Sequence, residues 1–199
     1  MKTLSLLLLA AALLFVSCSN DNDNNPTAPT AVETQAALNK QILAEMPATL
    51  LSELSEKERA EARAGRLFVW FLQGQGAPPD PAGRCAPLLT VNVTASGSAT
   101  YLGRFTDVQS HCFNPATLEF TDGFATFTSV GTGEQLFIPY WGVLASTSDP
   151  TLLKILGNTT FSGGTGRFAG ATGQGIARGT LNVATGETLL VGVGTLELK

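Results

Sequence analysis

Residues 161–175 read "FSGGTGRFAGATGQG", six glycines in fifteen positions, and the fold turns on what those glycines are for. A phosphate cradle of the Walker kind needs four residues between its first glycine and a closing Gly-Lys-Ser/Thr, so that backbone amides and a lysine converge on the phosphates. No lysine stands in this stretch. A dinucleotide-binding turn needs a third glycine in the G-x-G-x-x-G spacing and a helix after it. Counted from Gly164 and Gly166, the third place is Ala169, and "ATGQGIARGTLNV" has the pattern of a strand. The remaining reading is architectural. Gly163, Gly164, Gly166 and Gly170 make a tight turn in a sheet curling into a small barrel, where bends and strand crossings leave no room for side chains. Phe161 and Phe168 are then buried anchors beside that turn. Gly175, Ala177 and Gly179 share one face and leave space for bulky residues opposite.

Residues 66–199 as a whole are rich in β-branched residues, Phe and Gly, with turn signals at short intervals. "LLTVNVT" alternates Leu89, Val91 and Val93 against Thr90, Asn92 and Thr94, the period of a half-buried strand. Further candidates are "RLFVWFL", "ATYLGRFTDV", "LEFTDGFATFTSV", "EQLFIPYWGVL", "KILGNTTFS", "GQGIARGTLNV" and "TLLVGVGTLEL". About eight strands with no helical pattern between them predict a mainly β, antiparallel barrel or sandwich. "VGTGEQL" (130–136) and "VATGETL" (183–189) echo one another and read as repeated hairpin turns, each with a glycine for positive φ.

All 21 glycines lie from Gly65 onward, which marks a boundary between two kinds of structure. Residues 33–65 are rich in Ala, Leu, Glu and Lys, good helix formers. Leu38, Ile42, Leu43 and Met46 fall at helical spacing, Pro47 divides the segment into two helices, and Ser55 with Glu58 has capping-box spacing. These helices pack on the barrel or on a partner, or form a solvated spacer; the sequence leaves the three open.

Residues 1–17 carry Lys2, an apolar run from Leu4 to Val16 and a small Ser17 before Cys18, the layout of an export signal. "LFVSC" resembles the lipobox of bacterial lipoproteins, with Phe15 where leucine is usual, and implies that Cys18 becomes a lipid anchor. Residues 18–32 then form a polar, flexible tether, and an outer-membrane location follows, with the membrane face open. Asp21, Asp23 and Asn25 have the spacing of the first ligands of a calcium loop, but Pro26 and Val32 stand where glycine and glutamate are required. With Cys18 assigned to lipid, Cys85 and Cys112 remain as an even pair, a disulfide by default in an oxidising compartment, with two buried thiols the alternative. The net charge is −4 without a basic stripe, which argues against a nucleic-acid partner.

"FSGGTGRFAGATGQG", preceded by "YLGRFTDVQSHCFNP" and "GEQLFIPYWG", resembles bacterial secreted proteins with an allene oxide cyclase-like barrel and, more distantly, the plant cyclases and dirigent proteins. The resemblance covers residues 66–199. It implies an eight-stranded antiparallel barrel with a central apolar cavity, and a homo-oligomer, dimer or trimer. The plant cyclases' catalytic constellation does not map onto this chain residue by residue, so no activity is carried over.

The single histidine, His111, stands beside Cys112 without a serine elbow or an orienting carboxylate at a familiar spacing, and reads as structural or surface-exposed. One histidine and two cysteines expected to be bonded do not make a zinc set, and no cofactor or metal is expected. Tyr101, Phe105, Phe124, Tyr140 and Trp141 are candidates for a barrel cavity. Arg104, Glu119 and Asp122 are charges in strand-like segments that either face solvent or orient a ligand. The leading expectation is a lipid-anchored envelope barrel that binds a small apolar molecule. The rivals are a cyclase or isomerase on the same barrel, and a filled barrel with a structural or protein-interaction role.

Overall fold

The structure, a computed structural model, describes residues 30–199. The expected signal segment, the anchor Cys18, the tether up to residue 29 and the calcium-like Asp21, Asp23 and Asn25 lie outside the described residues. Helices α1 (Ala31–Glu45), α2 (Ala48–Leu51) and α3 (Glu56–Arg63) precede eight strands. These are β1 (Phe68–Gly76), β2 (Leu89–Ala99), β3 (Gly103–Asn114), β4 (Glu119–Ser129), β5 (Gln135–Ser146), β6 (Leu152–Ser162), β7 (Thr172–Asn182) and β8 (Glu187–Glu197). Each strand pairs antiparallel with the next, and β1 pairs with β8, so the sheet is a closed barrel with no free edge. The sandwich alternative is thereby excluded.

The helical segment has three helices where two were expected, because Ser55 caps a helix of its own: its side chain accepts from the Glu58 amide while Glu58 reaches back to the Ser55 amide. Thr30 and Glu33 make the same reciprocal cap at α1, which therefore starts two residues before the expected boundary. Ile42, Leu43, Met46, Leu50 and Leu54 pack with Val69 of β1 and Val191 and Val193 of β8, on the outside of the barrel. Of the three possibilities for this segment, it packs on its own barrel. Gly65 ends α3 with φ +72°, and a Cβ there would overlap the backbone of α1, so glycine is required by the close approach as well as by the turn.

The expected strand "ATYLGRFTDV" is split. Thr100, Tyr101 and Leu102 form the turn between β2 and β3, with Tyr101 at φ 66°, and β3 runs on to Asn114. The echoed heptapeptides are indeed two turns of one chemistry. Gly133 (φ 72°) and Gly186 (φ 77°) supply the left-handed positions, and Thr132 and Thr185 each accept a bond from the amide two residues on.

One end of the barrel is packed solid. The Gly163–Gly170 loop, with a single 3-10 turn at Gly166–Phe168, drives Phe168 into that end, fully buried, against a core of Phe68, Trp70, Phe105, Phe127 and Phe161. Gly163 (φ 103°), Gly166 (φ 58°) and Gly170 (φ 73°) hold left-handed backbone. Gly164 bridges to Leu136, where a Cβ would overlap the Gln135 carbonyl. The glycine-rich stretch is thus the plug of the barrel. Further along the interior, the Trp70 indole lies against Gly175 and Gly192; a side chain on Gly192 would overlap its ring.

Candidate functional site

The unfilled part of the interior is a cavity of about 410 Å³ between the aromatic plug and the opposite end of the barrel. That volume falls within the roughly 300–1,000 Å³ of small-molecule sites. Its wall is mostly hydrocarbon, supplied by Leu72, Phe113, Phe120, Leu144, Ile155 and Leu190 among others. Ala77 and Pro79, from the loop joining β1 to β2, reach its rim. That loop is tied to the barrel wall twice. Cys85 and Cys112 form a disulfide, with Cα atoms 5.3 Å apart. Arg84 donates to the carbonyl oxygens of Ser110 (3.1 Å) and Asp122 (2.7 Å) and pairs with the Asp122 carboxylate.

The polar part of the site comes from β3. Successive side chains on a strand point to opposite faces, so Phe105, Asp107, Gln109, His111 and Phe113 share the inner face while Thr106, Val108, Ser110 and Cys112 share the outer. His111 Nδ1 is 2.8 Å from Tyr140 Oη across the barrel wall. The intervening position on β4 is Gly123, cross-strand partner of Tyr140, where a Cβ would come within 2.6 Å of the tyrosine ring. A glycine there lets the phenol lean over β4 to reach the imidazole. One hydrogen bond joins the two rings, and the tautomer of the neutral imidazole decides which of them donates. Burial, helped by the nearby Arg84 charge, pulls His111 down to about 4, which keeps it neutral. Burial and the facing Asp107 raise Tyr140, which stays a phenol.

Asp107 is 1 % exposed, between its cross-strand neighbours Ala95 and Phe127. Gln109 Nε2 donates to its Oδ2, whereas Oδ1 is buried with no hydrogen-bond partner. Burial pushes its carboxyl up to about 7, the Gln109 bond opposing the shift. Thr159 Oγ1, on the cavity wall beside Tyr140, is likewise buried and unpartnered. In folded interiors such orphans are few, and each calls for a reason. Among the described residues no group of three His, Cys, Asp or Glu side chains is placed to hold a metal ion, and no helix is long and apolar enough to cross a membrane.

Of the eight cavity candidates, Tyr140 lines the cavity and Phe105 stacks on Phe127 (ring centroids 4.1 Å) in the packed core. The other six lie elsewhere. Tyr101 is in the β2–β3 turn, its hydroxyl donating to Gln35 Oε1 of α1 at 2.7 Å. Arg104 and Glu119 are exposed because their neighbours Phe105 and Phe120 take the inner face. Trp141 is 45 % exposed, as alternation requires of the residue after Tyr140. Asp122 occupies a β-bulge, φ 49°, and points out to Arg84. The extra residue shifts the phase of β4, so that Phe124, which the phase of Phe120 would carry inward, is 46 % exposed.

Of the two readings of His111, structural or surface-exposed, the surface one does not hold: the side chain is on the cavity wall. Asp107, Gln109 and Thr159 were not singled out by the sequence. The signal was present in "FTDVQSHCF": the two terminal phenylalanines are in phase with Asp107, Gln109 and His111, so whatever buries the phenylalanines buries the polar trio. No protein-family model matches the chain, no curated protein matches it, and no solved structure matches it.

Proposed function

We propose that this protein is a lipid-anchored component of the cell envelope whose barrel holds one small, largely apolar molecule. The observation that carries the reading is the cavity itself: about 410 Å³ of mostly hydrocarbon-lined space, shut at one end by the aromatic plug and rimmed at the other by a doubly tied loop. A barrel with a purely structural role gains nothing by leaving such a void, since unfilled apolar volume forfeits packing contacts. The lipobox-like "LFVSC" supports the anchor at Cys18 and an outer-membrane location. The quoted glycine, aromatic and "YLGRF" stretches support kinship with the allene oxide cyclase-like barrels. A second reading, a cyclase or isomerase, is favoured by two buried groups with displaced proton affinities on the inner face of β3, Asp107 and His111, the latter on the cavity wall.

Native mass spectrometry of the oxidised protein, extracted in detergent and exposed to envelope small molecules, tests the reading. A stoichiometric adduct that vanishes on denaturation is expected, together with a lipid mass increment that maps to Cys18. A folded protein that takes up nothing would return the barrel to the structural reading, and an adduct released as an isomer of equal mass would favour the enzyme.

A further inference from the structure

A neutral imidazole has one N–H and a phenol one O–H, so His111 and Tyr140 bring two donors to the single bond between them. If the phenol donates to Nδ1, the imidazole N–H stands on Nε2 and is unspent. If Nδ1 donates to Oη, the phenol O–H is unspent. One donor is left over in either tautomer, and among the described residues neither Nε2 nor Oη has a further partner. Nor is Nε2 sealed in. The side-chain polar atoms that are both unpartnered and shut off from all contact are, among the described residues, Asp107 Oδ1 and Thr159 Oγ1. Nε2 lacks a partner without being one of these, so it keeps open surface. Because His111 is on the inner face of β3 and lines the cavity, that surface opens on the cavity.

The surroundings favour an uncharged occupant. No Asp, Glu, Lys or Arg lines the cavity, and both rings of the pair stay neutral. An ion entering this space gives up its water with no opposite charge to meet it. Phe120 lies beside both rings, its centroid 5.5 Å from His111 and 6.1 Å from Tyr140. In such apolar surroundings a donor that finds an acceptor makes a strong bond, and one that finds none is costly. A pure hydrocarbon leaves the spare donor unmet. An uncharged oxygen that accepts meets it and adds no charge to the cavity.

Resting on the cavity reading above, we infer that the occupant is an uncharged, oxygen-bearing hydrocarbon, its body against the apolar wall and its carbonyl or hydroxyl oxygen accepting the spare hydrogen of the His111–Tyr140 pair. The pair is then a recognition element that selects a neutral oxygenated molecule over a bare hydrocarbon and over a carboxylate.

The test is calorimetric titration of the native, disulfide-bonded protein at pH 7.5 with three probes on one ring system: the ketone 2-acetylnaphthalene, its hydrocarbon counterpart 2-isopropenylnaphthalene, and 2-naphthoate. The ketone is expected to bind at least about fivefold more tightly than the hydrocarbon, equivalent to about 1 kcal/mol, and naphthoate more weakly than either. The double variant His111→Phe, Tyr140→Phe keeps two rings and removes both donors. It is expected to erase the preference for the ketone while still binding the hydrocarbon, which also shows that its cavity is intact. A second readout uses the native protein alone. His111 is the single histidine of the chain, so its imidazole nitrogen resonances stand alone in the histidine-labelled protein, and they are expected to move on saturation with the ketone and much less with the hydrocarbon. This readout decides the matter if the double variant does not fold. Equal affinity for ketone and hydrocarbon, naphthoate as the tightest probe, a preference that survives in the double variant, or imidazole resonances that the bound ketone leaves in place would overturn the inference and leave the cavity reading standing. Failure of all three probes to bind would overturn the cavity reading itself.

Discussion

Asp107 and His111 stand four residues apart on the inner face of β3, and burial displaces their proton affinities in opposite directions. The Asp107 carboxyl rises from an ordinary 3.8 to about 7, so the unfolded chain ionises before the folded one as pH increases. Its contribution is most favourable below pH 4 and is lost as pH rises to about 7. The His111 imidazole falls from 6.5 to about 4, so the unfolded chain is protonated first as pH drops, and this contribution is lost as pH falls from about 6.5 to 4. Over the shared range the two slopes oppose, and the native protein shows less of either. Removing one partner exposes the other. Relative to the native protein, Asp107→Asn should gain stability as pH is raised from 4 to 7, by a ceiling of about 4 kcal/mol at 1.36 kcal/mol per pH unit. His111→Gln should lose relative stability over the same range. Urea unfolding at pH 4, 5.5 and 7 measures both, and parallel curves for all three proteins would show that neither group is displaced as described.

At the scale of elements, the helices are fastened to the barrel by a polar pin as well as by their apolar face. Asn39 of α1 is fully buried; its Nδ2 donates to the carbonyls of Ala62 (2.9 Å) and Leu67 (2.6 Å), and its Oδ1 accepts from Thr100 Oγ1 in the β2–β3 turn. One side chain thereby joins α1, the end of α3, the entry to β1 and a barrel turn. Asn39→Ala leaves several of these groups buried and unpaired and should cost about 3 kcal/mol. Gln41→Ala, on the exposed side of the same helix, should stay within about 0.5 kcal/mol. Thermal denaturation of the pair checks the contrast. The helices were legible from composition, Pro47 and the Ser55 cap, and the strands from their alternation and turn glycines. Which residues face the cavity was legible only where the phase is unbroken, as along β3. On β4 a single bulged residue, Asp122, reverses the phase, and no local feature of "LEFTDGFATFTSV" announces it. The Tyr140 to His111 contact depends on Gly123 falling between them in register, a relation among three strands that no segment contains alone.

For the whole molecule, the disulfide is the only covalent tie among the described residues besides the chain itself, and it joins the β1–β2 loop to β3 across a sequence separation of 27. On the chain-entropy account, closing a loop of that length stabilises the folded state by about 3.5 kcal/mol. The Cys85→Ser, Cys112→Ser double variant should lose that amount in urea unfolding, and a loss under about 1 kcal/mol would mean that the loop is held chiefly by Arg84.

Barrel closure also sets an order of events. The last strand, β8, must reach the first, β1, before the sheet is complete, and contacts between such distant parts of a chain form late. The helices rest on Val69, Val191 and Val193, the outer side of that same seam. During synthesis they emerge ahead of every strand, yet the part of their surface made by Val191 and Val193 does not exist until β8 is in place. A ribosome-stalled chain ending before Glu187 lacks Val191 and Val193 and should therefore leave its helical segment only partly docked and more open to protease than in the full chain. Helices made ahead of the barrel are the last elements to be fully fastened, and their full fastening reports that the barrel is whole.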